Sequence, residues 1–419
     1  MLQLLKSSFW SFLSVLVRAV SSLTINKLFA LYYGPNGITL FAHFQNLIAI
    51  ITTVPNGGVN IGAISLLATD KPDSIRYRRY FMAALFLNLL CFVAALACIL
   101  GFPDYFLGVF LRSVALPGVW QWSLLFGLGS LLLTLNLYLL SVLLARQELR
   151  SYVLGVSAIS LAGLAAVYLT SGKWALHELL LLILGAQGAI FFVLLPVLYR
   201  KRLLPSFSHV AVPARVYLDL WKYIVMALSA VVCLKLTDFY IRDYVIGRYD
   251  LYQTGLWQAV VRVSEQYSNV YTAVVGMLVY PRMAALAKVP EQLRKFVRLT
   301  FYLVLPLLAV ALLLVYLLRD WVLLLLFSED FLKAEYLFDF QLLGDFFRMW
   351  SVMLTNLLVV QAQVRLYVGW QVCSAVLYIA LVYLLIGPFG LEGIQIAHTL
   401  RYAVVLVFFM LYYTKYIRP

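Results

Sequence analysis

The sequence predicts an all-α fold: a polytopic membrane protein with about 12 transmembrane helices in two six-helix lobes. The first observation is composition, because 64% of the 419 residues are hydrophobic and only 12% are charged. The second is that apolar runs of about twenty residues, the length that crosses the hydrocarbon of a bilayer, recur along the whole chain. Such a composition excludes a soluble protein with a single apolar core.

Glycine, proline and charged residues divide the apolar runs into spans. The first run is too long for a cleaved signal peptide, carries Arg18, and is followed by Lys27 rather than by a small-residue cleavage site. We therefore expect it to remain as the first span. The predicted spans are residues 9–32, 38–68, 80–101, 120–145, 151–171, 177–199, 218–246, 254–281, 296–318, 338–362, 365–387 and 391–413.

Lysine and arginine are unevenly divided between the loops on the two sides of the membrane. The side that holds both termini and the even-numbered loops carries about three times as many as the other side, so the positive-inside rule predicts cytoplasmic termini. The formal net charge of +14 falls where topology and anionic headgroups require it. It therefore does not indicate nucleic acid as a partner.

Landmark residues of the first half recur about half a chain later, which indicates an internal repeat. Six spans in each half would enter the membrane in the same sense, so we expect two lobes related by an axis along the membrane normal, with a binding site between them. The predicted N-terminal lobe is residues 1–204, the cytoplasmic linker 205–217 and the C-terminal lobe 218–419. The paired landmarks are Gly37 and Gly255, Asp104 and Asp320, Gly127 and Gly344, and Arg150 and Arg365.

Basic residues outnumber acidic ones inside the spans. A charge at the bilayer centre costs about 2.5 to 3.5 kcal/mol on the insertion scale, so we expect these residues to face water or each other. The excess of positive charge favours an anionic substrate. The basic residues are Arg18, Lys27, Lys235, Arg262, Arg348 and Arg401, and the acidic ones are Asp238, Glu265 and Asp345.

Helical spacing places several of these residues on common faces. Lys235 with Asp238, Arg262 with Glu265, and Asp345 with Arg348 are each three residues apart and thus neighbours on a helix.

Polar stripes on three spans predict wet faces. They consist of Thr39, His43, Asn46 and Thr53 on the second span, Gln258, Arg262, Glu265, Asn269 and Thr272 on the eighth, and Gln341, Asp345, Arg348 and Thr355 on the tenth.

Each of these features has a structural alternative. The acid–base pairs, Lys235 with Asp238 above all, equally suit ion pairs that only neutralise each other. Lys27 equally suits a side chain that snorkels to the interface. His43 and His398 are more often hydrogen-bonded packing residues than ligands.

Motifs of catalysis and metal binding are absent from the sequence. It contains no HExxH, GxSxG, Walker A or CxxC pattern. Cys91, Cys98, Cys233 and Cys373 lie in predicted spans without metal-ligand spacing. We therefore expect no enzyme activity, metal or cofactor.

Three segments carry a resemblance to a known family: GPNGITLFAHFQNLIAI (Gly34–Ile50), TGLWQAVVRVSEQY (Thr254–Tyr267) and FDFQLLGDFFRMWSVML (Phe338–Leu354). With them the chain resembles the Wzx-type polysaccharide-lipid flippases of the multidrug/oligosaccharidyl-lipid/polysaccharide exporter superfamily. It is most similar to the lipid III flippases of the enterobacterial common antigen pathway and to O-antigen flippases. The similarity runs from the first span to the last.

The resemblance implies the flippase fold of that superfamily and alternating access between its two lobes. It implies transport of an undecaprenyl-diphosphate-linked oligosaccharide across the bacterial inner membrane, with a polysaccharide polymerase and a chain-length regulator as partners. Arg18 and Arg262 are expected to hold the diphosphate. The wider substrate site is expected to include Arg348, Arg401, Lys235, Lys27 and His43, with Asp238, Glu265 and Asp345 as coupling or ion-pair acids.

Two other functions compete with a flippase. A drug exporter of the same superfamily would share the fold, but a cavity for organic cations should be acidic or aromatic rather than basic. An O-antigen polymerase or membrane acyltransferase would need a large outer loop, and the predicted outer loops do not exceed about twenty residues, too few for a domain of about 50. The driving force stays open between a proton gradient, a sodium gradient and the membrane potential.

Overall fold

The structure is a computed structural model that describes residues 2–68, 72, 74–111, 116–170, 172–205, 211–275, 279, 282–283, 286, 289–360 and 363–413. Across these ranges the regular structure is helical and contains no β-strand, which confirms the predicted all-α class. The end of the eighth predicted span, at residues 276–278 and 280–281, lies outside the described residues.

The helices follow the predicted spans. They are α1 (Leu2–Val54), α2 (Asn60–Leu67), α3 (Ile75–Gly101), α4 (Pro103–Phe106), α5 (Gly108–Leu111), α6 (Leu116–Ala145), α7 (Leu149–Thr170), α8 (Leu176–Ala189), α9 (Phe191–Arg200), α10 (Ala214–Ala230), α11 (Thr237–Arg248), α12 (Leu251–Val274), α13 (Pro290–Leu317), α14 (Arg319–Leu326), α15 (Phe338–Val360), α16 (Val364–Phe389) and α17 (Glu392–Tyr412). Pro55–Val59 and Val231–Leu236 are π-helical, and Glu329–Leu337 is a 3₁₀-helix.

A kink at Gly34 divides α1 into the first two predicted spans. Gly34 has φ +60° and ψ −159°, a conformation that favours glycine because a Cβ is strained there. Pro35 follows and restarts the helix, where its missing N–H costs nothing. The loop between the two spans is therefore no more than a sharp bend.

Eight helices in the described ranges are long and apolar enough to cross a membrane. The remaining predicted spans coincide with α10–α11, α12 and α15, which carry the intramembrane acid–base pairs and are less apolar for that reason. The chain is thus a multi-pass membrane protein. The eight helices long and apolar enough to cross a membrane are Leu16–Val54, Ile75–Gly101, Trp120–Ala145, Leu149–Thr170, Leu176–Arg200, Glu291–Leu317, Arg365–Phe389 and Glu392–Tyr412.

The chain folds into two compact units. The first consists of Met1–Tyr33 and Leu40–Phe239, and the second of Gly34–Thr39 and Tyr240–Pro419. The limits that we predict for the lobes, residues 204 and 218, stay a prediction.

Each unit has its own apolar core. In the first unit, Tyr77 and Tyr138 are fully buried, and their hydroxyls donate to the carbonyl oxygens of Leu203 (2.9 Å) and Phe81 (2.8 Å). Each tyrosine thus fills the core with its ring and satisfies its polar end there. The core of the second unit is built from α13, α15 and α17, with Val297, Phe301, Met353, Leu357 and Phe409 among its buried side chains.

Candidate functional site

A buried polar network in the second unit is centred on the carboxylate of Asp345, which is 0% exposed. Its Oδ2 accepts hydrogen bonds from Ser264 Oγ at 2.5 Å and from Gln341 Nε2 at 3.0 Å. The hydroxyl of Tyr267 also donates to Oδ2. A carboxylate so deep in the protein is stable only when its lone pairs are satisfied in this way.

The other oxygen of Asp345 faces an arginine and a histidine. Arg348 Nη2 lies 3.0 Å from Oδ1, and His398 Nε2 lies 3.2 Å from the same atom. Arg348 Nη2 also donates to Ser264 Oγ at 3.3 Å and to Ser268 Oγ. Asp345 and Arg348 therefore form the ion pair expected from their spacing, held in place by hydroxyls of α12.

Close packing of α15 against α17 brings His398 to Asp345. A Cβ at Gly344 would lie 2.4 Å from His398 Cδ2 and 3.1 Å from Thr399 Cα, so glycine is required at this crossing. Thr399 Oγ1 also donates to the carbonyl oxygen of Phe340 at 2.6 Å. The absence of a side chain at Gly344 thus lets α15 and α17 approach closely enough to form the site.

Arg401, on α17, is 6% exposed. Its Nε donates to Ser374 Oγ at 2.7 Å, and its guanidinium carbon lies 4.9 Å from the ring centroids of both Tyr378 and Tyr402. The Tyr402 ring also packs 5.0 Å from the His398 ring, which joins Arg401 to the network. Among the described residues, no hydrogen-bond acceptor is recorded for the terminal Nη groups of Arg401, so these donors can meet an anion.

Arg262 and Glu265 form the second predicted ion pair. Arg262 Nη1 lies 3.2 Å from Glu265 Oε2, and the two side chains are 14% and 47% exposed. The pair has the same spacing on its helix as Asp345 and Arg348, but its carboxylate is far more open, 47% exposed against 0% for Asp345. Its electrostatic contribution to stability should therefore be much smaller.

Lys235 and Asp238 lie in helical segments of different kinds. Both side chains are half-buried. Lys235 lies in the π-helical segment Val231–Leu236, whereas Asp238 lies in α11. The wider π-helical turn changes the angle between positions three apart, so the pairing of these two side chains stays a prediction.

The remaining predicted residues belong to the first unit. Arg18 is exposed on α1, and Lys27 is half-buried on the same helix. His43 is fully buried, and its ring centroid lies 4.2 Å from that of Phe239 and 5.5 Å from that of Phe110. This environment agrees with the packing alternative for His43.

The predicted wet stripe of α12 and the face of α12 that contacts α15 are different faces. The predicted wet stripe includes Glu265, Asn269 and Thr272, which are exposed. The face that contacts α15 instead carries Ser264, Tyr267, Ser268 and Tyr271, and the Tyr271 hydroxyl donates to the carbonyl oxygen of Met349 at 2.9 Å. The 3, 1, 3 spacing of these hydroxyl residues was the signal that could have identified this face.

Other residues of the site also lacked a clear signal in the sequence. Ser374, Tyr378 and Tyr402 contact Arg401 from two helices. The part of the chain that the structure describes contains no cluster of His, Cys, Asp or Glu residues able to hold a metal ion.

Two solved structures with a similar fold are membrane transporters. The fold is similar to that of the lipid II flippase MurJ in its inward closed conformation, with a TM-score of 0.74 and 11% identity over 98% of this chain and 87% of that one. It is also similar to an inward-facing multidrug resistance MATE family transporter of the MOP superfamily, with a TM-score of 0.72 and 11% identity over 95% of both chains. The chain thus shares the fold of these two solved structures, as the resemblance implied.

Curated relatives are more specific. The chain is 28% identical over 421 residues to the lipid III flippase of Escherichia coli (strain K12), and the match covers 96% of both proteins. The lipid III flippase of Shigella flexneri matches with the same identity and coverage. No protein-family model matches the chain.

Proposed function

We propose that this protein is a flippase that moves an undecaprenyl-diphosphate-linked oligosaccharide, a lipid III or an O-antigen unit, from the cytoplasmic to the periplasmic leaflet by alternating access. The observation that carries the proposal is the 28% identity to lipid III flippases across 96% of the chain. The similarity of fold to MurJ supports it, because MurJ is also named as a lipid flippase. The function is transport, and no catalytic step is assigned to the chain.

The charge of the second unit suits a diphosphate. Arg348 and Arg401 share a buried network with one carboxylate, Asp345, so positive charge exceeds negative charge there. Guanidinium groups bind phosphate oxygens through paired N–H donors, more strongly in a poorly solvated site than in water. The guanidinium group of Arg401 is better placed to bind phosphate than that of Arg348, because Arg348 Nη2 already contacts Asp345 and donates to two serines.

We propose the following roles for the predicted residues. Arg18, Arg262 and Arg401 bind the diphosphate. Arg348, Lys235, Lys27 and His43 complete the substrate site, and His43 acts there through packing. Of the acids, Asp345 positions Arg348, Glu265 neutralises Arg262, and Asp238 is left as the candidate for coupling to an ion gradient.

We also propose a location in the bacterial inner membrane with both termini in the cytoplasm. Single cysteines at Ser74 and Gln292 in a cysteine-free background should resist an impermeant thiol reagent added outside, whereas one at Lys173 should react. The opposite labelling pattern would reverse the orientation. A polysaccharide polymerase and a chain-length regulator of the same pathway are the proposed partners, and co-purification with this chain tests them.

Complementation tests the transport proposal directly. An Escherichia coli strain that lacks its own lipid III flippase should regain surface display of the glycan when this chain is expressed, and the lipid-linked intermediate should stop accumulating. Sensitivity of the same strain to organic cations measures the competing function of a drug exporter. If the chain lowers that sensitivity but leaves the lipid-linked intermediate in place, the flippase proposal fails.

A further inference from the structure

An apolar groove in the second unit lies between α13 and α15. Its volume is about 310 Å³. Leu312 and Leu342 are buried at its floor, Leu313 and Leu343 stand exposed at its sides, and Ala309 contributes the smallest of the lining side chains. Leu342 is three residues before Asp345 and so lies near it on α15, but the groove itself is lined by apolar side chains and Tyr316.

A cation lies at one end of this groove. The guanidinium carbon of Arg319 is 4.5 Å from the ring centroid of Tyr316, which lines the groove, and Arg319 Nη1 donates to the carbonyl oxygen of Tyr316 at 3.3 Å. The nearest acid is Asp320, whose Oδ1 is 4.0 Å from Arg319 Nε and whose side chain is 56% exposed. So loose and open a pair leaves Arg319 with most of its charge available.

The groove and the cation have the dimensions of one leaflet. The hydrophobic stretch of α13 ends at Leu317, so Arg319 lies at headgroup level. α13 is about 12 Å long from Ala309 to its end at Leu317, and Arg319 follows two residues later, so the groove spans somewhat less than half of the roughly 30 Å hydrocarbon thickness. Leu313, Leu314 and Leu317 are exposed beside the groove, as residues in contact with lipid are.

We propose that this groove binds one anionic phospholipid, with its phosphate on Arg319 and an acyl chain between α13 and α15. The apolar lining requires a hydrocarbon occupant, and the single cation at its end requires a negative headgroup. An undecaprenyl chain fits less well because it is much longer than one leaflet is deep, whereas the groove ends at Ala309. None of the proposed substrate residues lines the groove, and lipid binding can be measured without transport.

Lipid binding to the purified full chain tests the site. In native mass spectrometry, phosphatidylglycerol should bind with one tight site, and phosphatidylcholine should bind more weakly. Arg319→Gln should weaken phosphatidylglycerol binding by about tenfold, the effect of losing one hydrogen bond to a charged group. Ala309→Phe should abolish binding, because it fills the groove and leaves Arg319 in place.

Arg365→Gln is the matched control, since Arg365 is an exposed arginine at the start of α16, away from the groove. It should bind phosphatidylglycerol normally. Equal binding of the two phospholipids, equal weakening in Arg365→Gln, or full binding in Ala309→Phe would overturn the proposal. So would undecaprenyl diphosphate that displaces phosphatidylglycerol at equal concentration, since the groove would then belong to the substrate.

Discussion

Replacing Asp345 by Asn tests whether the polar network of the second unit depends on a buried charge. The substitution preserves the shape of the side chain but removes the charge that faces Arg348 at 3.0 Å and His398 at 3.2 Å. It also replaces one acceptor oxygen by an NH₂ group. This new donor would face the hydrogen-bond donors that surround the carboxylate in the parent protein. We expect the folded state to lose stability, and α15 and α17 to lose their alignment at the contact between Asp345 and His398.

The structure gives the magnitude. Two unit charges 3.0 Å apart attract by about 5 kcal/mol at an effective dielectric constant of about 20. Removing one partner of a buried pair typically costs about 3 to 5 kcal/mol, because the other charge is left buried and unpaired. Against a total stability of about 5 to 15 kcal/mol, this is a large loss. Asp345→Asn should therefore lower the free energy of unfolding by about 3 to 5 kcal/mol.

Glu265→Gln is the matched control. Glu265 pairs with an arginine at the same spacing and at 3.2 Å, but it is 47% exposed. An exposed pair contributes about 0 to 1 kcal/mol, so this variant should unfold almost like the parent protein. Both variants would be purified in detergent, and their unfolding by added SDS would be followed by tryptophan fluorescence. Complementation in the flippase-deficient strain then reports transport.

The double variant Asp345→Asn with Arg348→Gln separates charge pairing from substrate binding. It should recover most of the stability lost by Asp345→Asn, because no unpaired charge remains in the network. If it also recovers transport, Arg348 contributes only structure. Equal stability of Asp345→Asn and Glu265→Gln would refute the argument from burial, because it would mean that water reaches the carboxylate.

Three further predictions concern single positions. The double variant Arg262→Ala with Glu265→Gln should fold but transport about tenfold more slowly, the effect of about 1.4 kcal/mol in binding, and a normal rate in the complementation assay would remove Arg262 from the diphosphate site. Gly344→Ala should lower the free energy of unfolding by about 1 to 3 kcal/mol, because the helix crossing becomes overpacked. Gly127→Ala, whose new Cβ would lie 3.4 Å from Leu96 Cδ2, should raise it by up to about 1 kcal/mol, and identical melting temperatures of the two variants would contradict this. Arg401→Lys keeps the charge but loses the planar group between two tyrosine rings, so unfolding should become easier by about 1 to 2 kcal/mol, and an unchanged SDS midpoint would argue against this stacking.

The sequence alone determined the class of fold and the order of the spans. Hydropathy and helical spacing are local properties, and a membrane permits few structures other than helices. For the same reason the two ion pairs that lie within regular α-helices, Arg262 with Glu265 and Asp345 with Arg348, followed from their spacing. The pair of Lys235 and Asp238 stays a prediction, because Lys235 lies in a π-helical segment, whose spacing differs from that of an α-helix and has no signal in the sequence.

The tertiary structure decided which helix faces meet. Gly127 and Gly344 are equivalent landmarks in the sequence, yet of the two only Gly344 stands at a crossing where a Cβ would lie 2.4 Å from a side-chain atom and 3.1 Å from a backbone atom of the neighbouring helix. The hydroxyls of Ser264 and Tyr267 donate hydrogen bonds to Asp345 because α12 packs against α15. The spacing of residues within one helix does not predict this contact. Contacts between distant segments depend on the packing of whole helices, so local spacing cannot identify the donors that stabilise a buried charge.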